Sequence, residues 1–245
     1  MTTHIDSESD LDNAIAALTA LDPRWRAVFA RTGRPPLRRR AGGFARQSRP
    51  RGGAAAAGLA QIIVGQQVSV ASAAAIHGRL VAIAEPFEHA AVLRARRDRL
   101  VRVGLSGAKI KTLKAIAKAI DAREIDLAAL ADMPADDAHA RLTGLHGVGP
   151  WTADLYLLAC IGHADAWPAG DLALQEAARL AFGLENRPTT KEMGPLAEGW
   201  RPYRAVAARL LWSYYRAAKS REGVLLQAAP PARKAATKKR GRNGG

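Results

Sequence analysis

Helical period constrains this chain more than any other feature. "GAKIKTLKAIAKAI", residues 107–120, places Ile110, Leu113, Ile116 and Ile120 on one stripe and lysines on the other face. Ser106 precedes it as an N-cap. The same spacing recurs along Ala- and Leu-rich segments, whereas the alternating β-branched runs of a half-buried strand are scarce. The expected fold is all-α, built from many short helices. Helices are expected over 11–30 with a break near Pro23, and over 54–84 as one long helix or two end to end. Further ones are expected near 127–131 and 135–142, then over 150–161, 171–182, 190–198 and 202–218. There is no internal repeat.

Charge narrows the partner. The 245 residues carry 37 Lys and Arg against 22 Asp and Glu, a net charge of +15. Residues 31–51 hold eight arginines and no acid, 94–118 form a second basic run, and 121–200 are net acidic. Regional basic charge fits a polyanion, nucleic acid ahead of a membrane surface. The lone Cys160 cannot make an internal disulfide or a cysteine-ligated iron–sulfur cluster. It reads as a small core residue in a reducing cytoplasm. The histidines lack metal-ligand spacing. "MTTHIDSESDLDN" lacks the charged-then-apolar pattern of a secretory signal, and no apolar run reaches membrane-spanning length. The basic tail "AAPPARKAATKKRGRNGG" is expected to be disordered.

Two local features carry chemistry. In "LTGLHGVGPWTA", Gly144, Gly147 and Gly149 fall within six residues. Pro150 suits the first position of the next helix, where a missing N–H costs nothing. Glycines there can take positive φ and let a phosphate approach amides at a helix N-terminus. Such contacts would hold a DNA backbone without reading sequence. The same glycines also suit an ordinary tight connection, and Gly-x-Gly alone does not decide. Asp171 follows the turn Pro168-Ala169-Gly170. It reads as an N-cap or as a carboxylate facing a cleft, and the two are compatible. Asp165 is expected to make turn or surface contacts, and Asp154 to face solvent.

Taken together, these segments resemble the helix–hairpin–helix DNA glycosylases, and within them the 3-methyladenine DNA glycosylase II family. The likeness rests on "IIVGQQVSVASAAA", "GLSGAKIKTLKAIAKAI", "GLHGVGPWTADLYLLA", "DAWPAGDLALQ" and "WRPYRAVAARLLWSYY". It spans about residues 59–215. Bifunctional members carry a lysine two residues after the last hairpin glycine; here that residue is Trp151. The iron–sulfur branches need four cysteines, which are absent.

The resemblance implies a two-lobed all-α fold with a cleft between the lobes, without the family's extra N-terminal α/β domain. Residues 1–54 would supply a helix packed on the C-terminal lobe and an Arg-rich linker. Residues 55–163 would form the hairpin lobe, 164–225 the lobe with the catalytic aspartate, and 226–245 the tail. It implies a monofunctional glycosylase, acting as a monomer on double-stranded damaged DNA and excising alkylated purines in base excision repair. Asp171 would stabilise positive charge on the sugar. Trp212, Trp151, Tyr203 and Tyr156 would line the base pocket, while Trp25, Trp167 and Trp200 are structural. Gly144, Gly147, Val148, Gly149, Thr152 and Ser69 would meet DNA, with Gln67, or else Gln66, filling the gap left by the base. No cofactor is required, although a monovalent cation (sodium or potassium) would sit on the carbonyls of Thr143, Leu145 and Val148. Two alternatives stand beside this: a glycosylase for another lesion such as deaminated purines, and a non-catalytic DNA-binding protein.

Overall fold

The computed structural model describes residues 4–37, 53–84 and 88–227. Most of the Arg-rich linker and the basic tail from 228 lie outside the described residues. Twelve α-helices occupy the described chain: α1 (Glu8–Leu21), α2 (Arg24–Thr32), α3 (Gly53–Gly65), α4 (Val70–Ile83), α5 (His89–Arg94), α6 (Arg97–Val103), α7 (Gly107–Asp121), α8 (Ala135–Thr143), α9 (Pro150–Tyr156), α10 (Leu172–Phe182), α11 (Thr190–Glu198) and α12 (Arg204–Gln227). A 3-10 turn (Ala129–Asp132) precedes α8, and α9 runs on into a π turn (Leu157–Ile161). Among the described residues there is no strand, only an isolated bridge between His4 and His163. No helix among them is long and apolar enough to cross a membrane.

Local chemistry sets the boundaries. Ser7 and Asp10 form a capping box at the start of α1. The 54–84 segment is two helices, because the chain turns at Gln66 and Gln67 before Ser69 caps α4. Ser106 caps α7 as expected, accepting the Lys109 amide at 3.3 Å. Ile110, Leu113 and Ile116 are buried on the stripe.

The lysines of α7 differ from expectation. Lys109 Nζ donates to the carbonyls of Val64 and Gln66, 2.8 Å each. Lys114 Nζ donates to those of Leu93 and Ala95, at 2.9 and 2.7 Å. Two cations of the basic run thus bind the orphan carbonyls that helix C-termini leave, rather than facing solvent.

Packing sorts the helices into two groups. α3 packs on α4, α7 and α9, α5 on α7, and α8 on α9. On the other side α12 packs on α1, α2 and α10. Trp25, Trp167 and Trp200 are buried with edge-on contacts. Trp200 Nε1 donates to Asp22 Oδ2 at 3.0 Å, and Trp167 Nε1 to the Met193 carbonyl at 2.9 Å.

Candidate active site

Asp171 stands where the two groups of helices meet. It caps α10, its Oδ1 accepting the Leu174 amide at 2.9 Å. The Trp212 indole of α12 donates to the same oxygen at 3.1 Å. The Trp151 indole of α9 donates to Oδ2 at 3.0 Å. All three donors are neutral, and Asp171 makes no ion pair among the described residues. The half-buried carboxylate is therefore oriented without a counter-cation among the described residues. Such a group is suited to stabilise a cation forming opposite it.

The turn below Asp171 is braced. Its own amide donates to the Pro168 carbonyl at 2.9 Å. Gln175, buried one helical turn further on, donates to the Ala169 carbonyl at 2.9 Å and to Thr190 Oγ1 at 3.2 Å. Sequence reading missed Gln175, although its i+4 spacing places it under the turn. It also missed Leu172, which leaves 64% of its surface exposed directly beside Asp171.

Asp165 is not a surface residue. It is buried, with Arg204 Nε on Oδ1 at 2.7 Å, Arg204 Nη2 on Oδ2 at 2.9 Å and Arg201 Nη1 on Oδ2 at 2.6 Å. The same arginines reach Asp136 of α8 at 2.8 and 3.3 Å. The Asp165 amide donates to His163 Nδ1 at 3.1 Å, while His163 Nε2 lies 3.1 Å from the Met133 carbonyl. Burial pushes the His163 pKa down, in keeping with a neutral ring that accepts at Nδ1. Asp154 is not solvent-facing either: it is buried, with Oδ1 2.7 Å from His139 Nδ1. Burial raises its pKa, although His139 pulls the other way. The bond to Asp154 raises that of His139 against the effect of burial.

Tyr156 is also corrected. It is fully buried beside Gly58, its hydroxyl without a hydrogen-bond partner among the described residues, and burial raises its pKa. Five residues after Trp151 it points about 140° around the helix, away from Asp171. Tyr203 stays half-buried at the start of α12.

In the hairpin, Gly147 has φ +80°, and a Cβ there would lie 2.0 Å from Thr112 Oγ1. Only glycine fits. Gly149 instead is extended (φ −86°, ψ 169°), and a Cβ would meet nothing within 4 Å. Its missing side chain leaves open space outside the backbone. The amides of Gly147 and Gly149 donate to no described residue. Gly144 ends α8 in right-handed conformation. Val148 is a buried anchor whose amide already donates to Leu145, at 3.1 Å. Thr152 is buried, and its hydroxyl accepts Gln66 Nε2 at 2.8 Å. The side chains of Val148 and Thr152 therefore do not present themselves to a ligand. Gln66 is likewise committed inward, whereas Gln67 and Ser69 are exposed. Gln67 has φ +54°, a left-handed conformation that costs a non-glycine residue roughly 1–2 kcal/mol.

The fold and this hairpin place the chain in a class of DNA repair proteins. It belongs to the HhH-GPD superfamily of base excision DNA repair proteins, which matches residues 60–202. It is 30% identical over 220 residues to the probable bifunctional transcriptional activator/DNA repair enzyme AlkA of Mycobacterium tuberculosis, covering 85% of this chain and 40% of that one. It is 30% identical over 116 residues to the alkylbase DNA glycosidase-like protein mag2 of Schizosaccharomyces pombe, covering 47% of this chain and 54% of the relative. The chain thus spans about half the length of these curated relatives or less. Among solved structures it resembles a DNA-3-methyladenine glycosidase from Bacillus halodurans, with a TM-score of 0.73 at 23% identity over 91% of this chain and 98% of that one. It also resembles the S. pombe 3-methyladenine DNA glycosylase Mag1 in complex with abasic DNA, with a TM-score of 0.61 at 24% identity over 82% and 95%.

Proposed function

We propose that this chain is a monofunctional DNA glycosylase that extrudes alkylated purines of the 3-methyladenine and 7-methylguanine type from duplex DNA and hydrolyses their N-glycosidic bond. The observation that carries the reading is Asp171, an uncompensated carboxylate held between two indoles. Relatives named as alkylbase or 3-methyladenine glycosylases support it. An extruded nucleotide would bring its sugar to Asp171. As the C1′–N bond breaks, its electron pair moves to the base, and positive charge grows on the sugar. Asp171 stabilises that charge and takes a proton from the water that adds at C1′. An alkylated purine is cationic before cleavage and departs neutral, so the lesion is the better leaving group. A cationic ring also gains about 0.5–2 kcal/mol over an indole face, the role assigned to Trp212 and Trp151. No amine stands at the position of Trp151, so hydrolysis leaves an abasic site with the strand intact.

The hairpin would hold the backbone through the Gly147 and Gly149 amides, with Gln67 entering the gap. Groups of three His, Cys, Asp or Glu able to hold a metal are absent among the described residues. A monovalent cation fits the hairpin carbonyls: those of Thr143 and Val148 accept no hydrogen bond from a described residue, and that of Leu145 accepts one. Bound there, it would supply positive charge for a phosphate oxygen. The chain would act as a monomer in the cytoplasm, at the nucleoid.

The test is methylated duplex DNA incubated with wild type and Asp171→Asn. Free 3-methyladenine or 7-methylguanine from wild type alone, with nicks only after alkali, is the expected result. Tight binding without base release would overturn the reading in favour of another lesion or a non-catalytic binder.

A further inference from the structure

The turn over residues 66–69 carries an exposed Gln67 in left-handed conformation. A turn so strained needs outside support to keep one shape. α3 stops at Gly65, leaving its last carbonyls without intrahelical donors. Lys109, in the first turn of α7, supplies them: its Nζ lies 2.8 Å from the Val64 carbonyl and 2.8 Å from that of Gln66. Gln66 in turn donates 2.8 Å to Thr152 Oγ1 on α9. Three residues beyond Lys109, on the same side of α7, Thr112 fills the space beneath Gly147 of the hairpin. One helix therefore touches both the Gln67 turn and the hairpin, and the Gln66–Thr152 bond ties the two together. Two of the three ammonium hydrogens of Lys109 are committed to carbonyls, which distinguishes it from the exposed arginines of α6.

We infer that Lys109 is a positioning residue for base extrusion: it fixes the α3–α4 turn against α7 so that Gln67 enters the duplex where the hairpin holds the strand. This rests on the glycosylase reading for the existence of an extruded base, yet insertion can be read without bond cleavage. A full-length protein is mixed with a duplex carrying 2-aminopurine beside a stable abasic analogue, comparing wild type, Gln67→Ala, Lys109→Met and Lys109→Arg.

Wild type is expected to raise the fluorescence, with Gln67→Ala and Lys109→Met reducing the amplitude at saturation at least about threefold and Lys109→Arg restoring most of it. The salt dependence of binding is expected to stay the same for Lys109→Met, since a lost phosphate contact would lower its slope by about one. Excision of a lesion in a matched pair should fall about tenfold, but less than about threefold opposite a mismatch, where unpairing costs less. General destabilisation would slow both substrates equally. Full amplitude with Lys109→Met, a lowered salt slope, or equal losses on the two substrates would overturn the inference. Fluorescence change without base release from wild type would overturn the glycosylase reading and leave this one standing. Base release by wild type with no fluorescence change would do the reverse.

Discussion

Asp165 and Asp171 lie at the base and tip of one loop, and their surroundings are opposites. Asp165 is buried and matched by two guanidinium groups, Arg201 and Arg204. Asp171 is half-exposed and, among the described residues, bonded only to neutral donors. The charge at the base is spent on structure: it joins the loop to the start of α12, where the Ala205 amide also donates 2.9 Å to the Ala164 carbonyl. The charge at the tip is aimed but unspent. A buried carboxylate needs partners to exist, whereas one that must answer a transient cation works best when no permanent cation answers first. The first arrangement gives a rigid mount, and the second gives a reactive group.

Substitution should separate the two roles. Asp165→Asn is expected to have the largest effect, on stability. It leaves the buried Arg204 with the exposed Asp136 as its remaining hydrogen-bonded acid among the described residues, at a cost of about 3 kcal/mol, the lower end for a broken buried pair. Chemical denaturation would measure this, and activity per folded molecule should hold. Asp171→Asn should do the converse. Asparagine caps a helix as well as aspartate, so α10 keeps its cap, and stability should fall only by the bond from Trp151 Nε1 that an amide nitrogen cannot accept. Single-turnover excision should fall by about 10²–10³, with DNA binding retained. Loss of activity from Asp165→Asn at full foldedness would erase the contrast.

The sequence showed one half of this contrast better than the other. Helical period and Ser106 made α7 visible, and Pro150 marked the start of α9, because both signals are local. Asp171 stood out by its turn and by resemblance, and the structure brings Trp151 and Trp212, 20 and 41 positions away, onto its oxygens. The fates of Asp154, Asp165 and Lys109 were illegible. Each is decided by a partner distant in sequence, as in the 39 positions from Asp165 to Arg204 or the 45 from Lys109 to Val64. A charged residue in isolation reads as solvated, since burial is favourable only with a partner that local spacing does not reveal. Tyr156 was illegible for a related reason: proximity in sequence to Trp151 suggests the pocket, whereas its angle around α9 puts it in the core.

The indole donors test whether orientation at the tip matters as well as charge. Trp151→Phe removes the donor to Oδ2, and Trp212→Phe leaves Oδ1 its Leu174 bond. A hydrogen bond to a charged group is worth about 1.5–3 kcal/mol. Excision should therefore fall about tenfold or more for Trp151→Phe and less for Trp212→Phe, measured as single-turnover rates with an aromatic ring retained at each position. Equal rates for both variants and wild type would mean that Asp171 is held by its helix cap alone.

The smallest effect concerns the His139–Asp154 pair beneath the site, a structural carboxylate like Asp165 but with a partner that titrates. The His139 pKa is raised in the folded chain by its bond to Asp154. The stability it contributes is therefore complete below about pH 6.5, the unfolded value, and is lost as pH rises through the folded value. The raised pKa of Asp154 acts in the same direction, since the folded state holds its proton more tightly than the unfolded chain. His139→Gln keeps a donor but no charge. It should cost on the order of 1 kcal/mol near pH 6, with the gap to wild type closing as pH rises above neutrality. Denaturation midpoints across pH 5.5 to 9 would show this convergence. Parallel curves would mean that the pair is held by packing rather than by a shared proton, and that the arginine-matched Asp165 is the one charge-built joint of the mount.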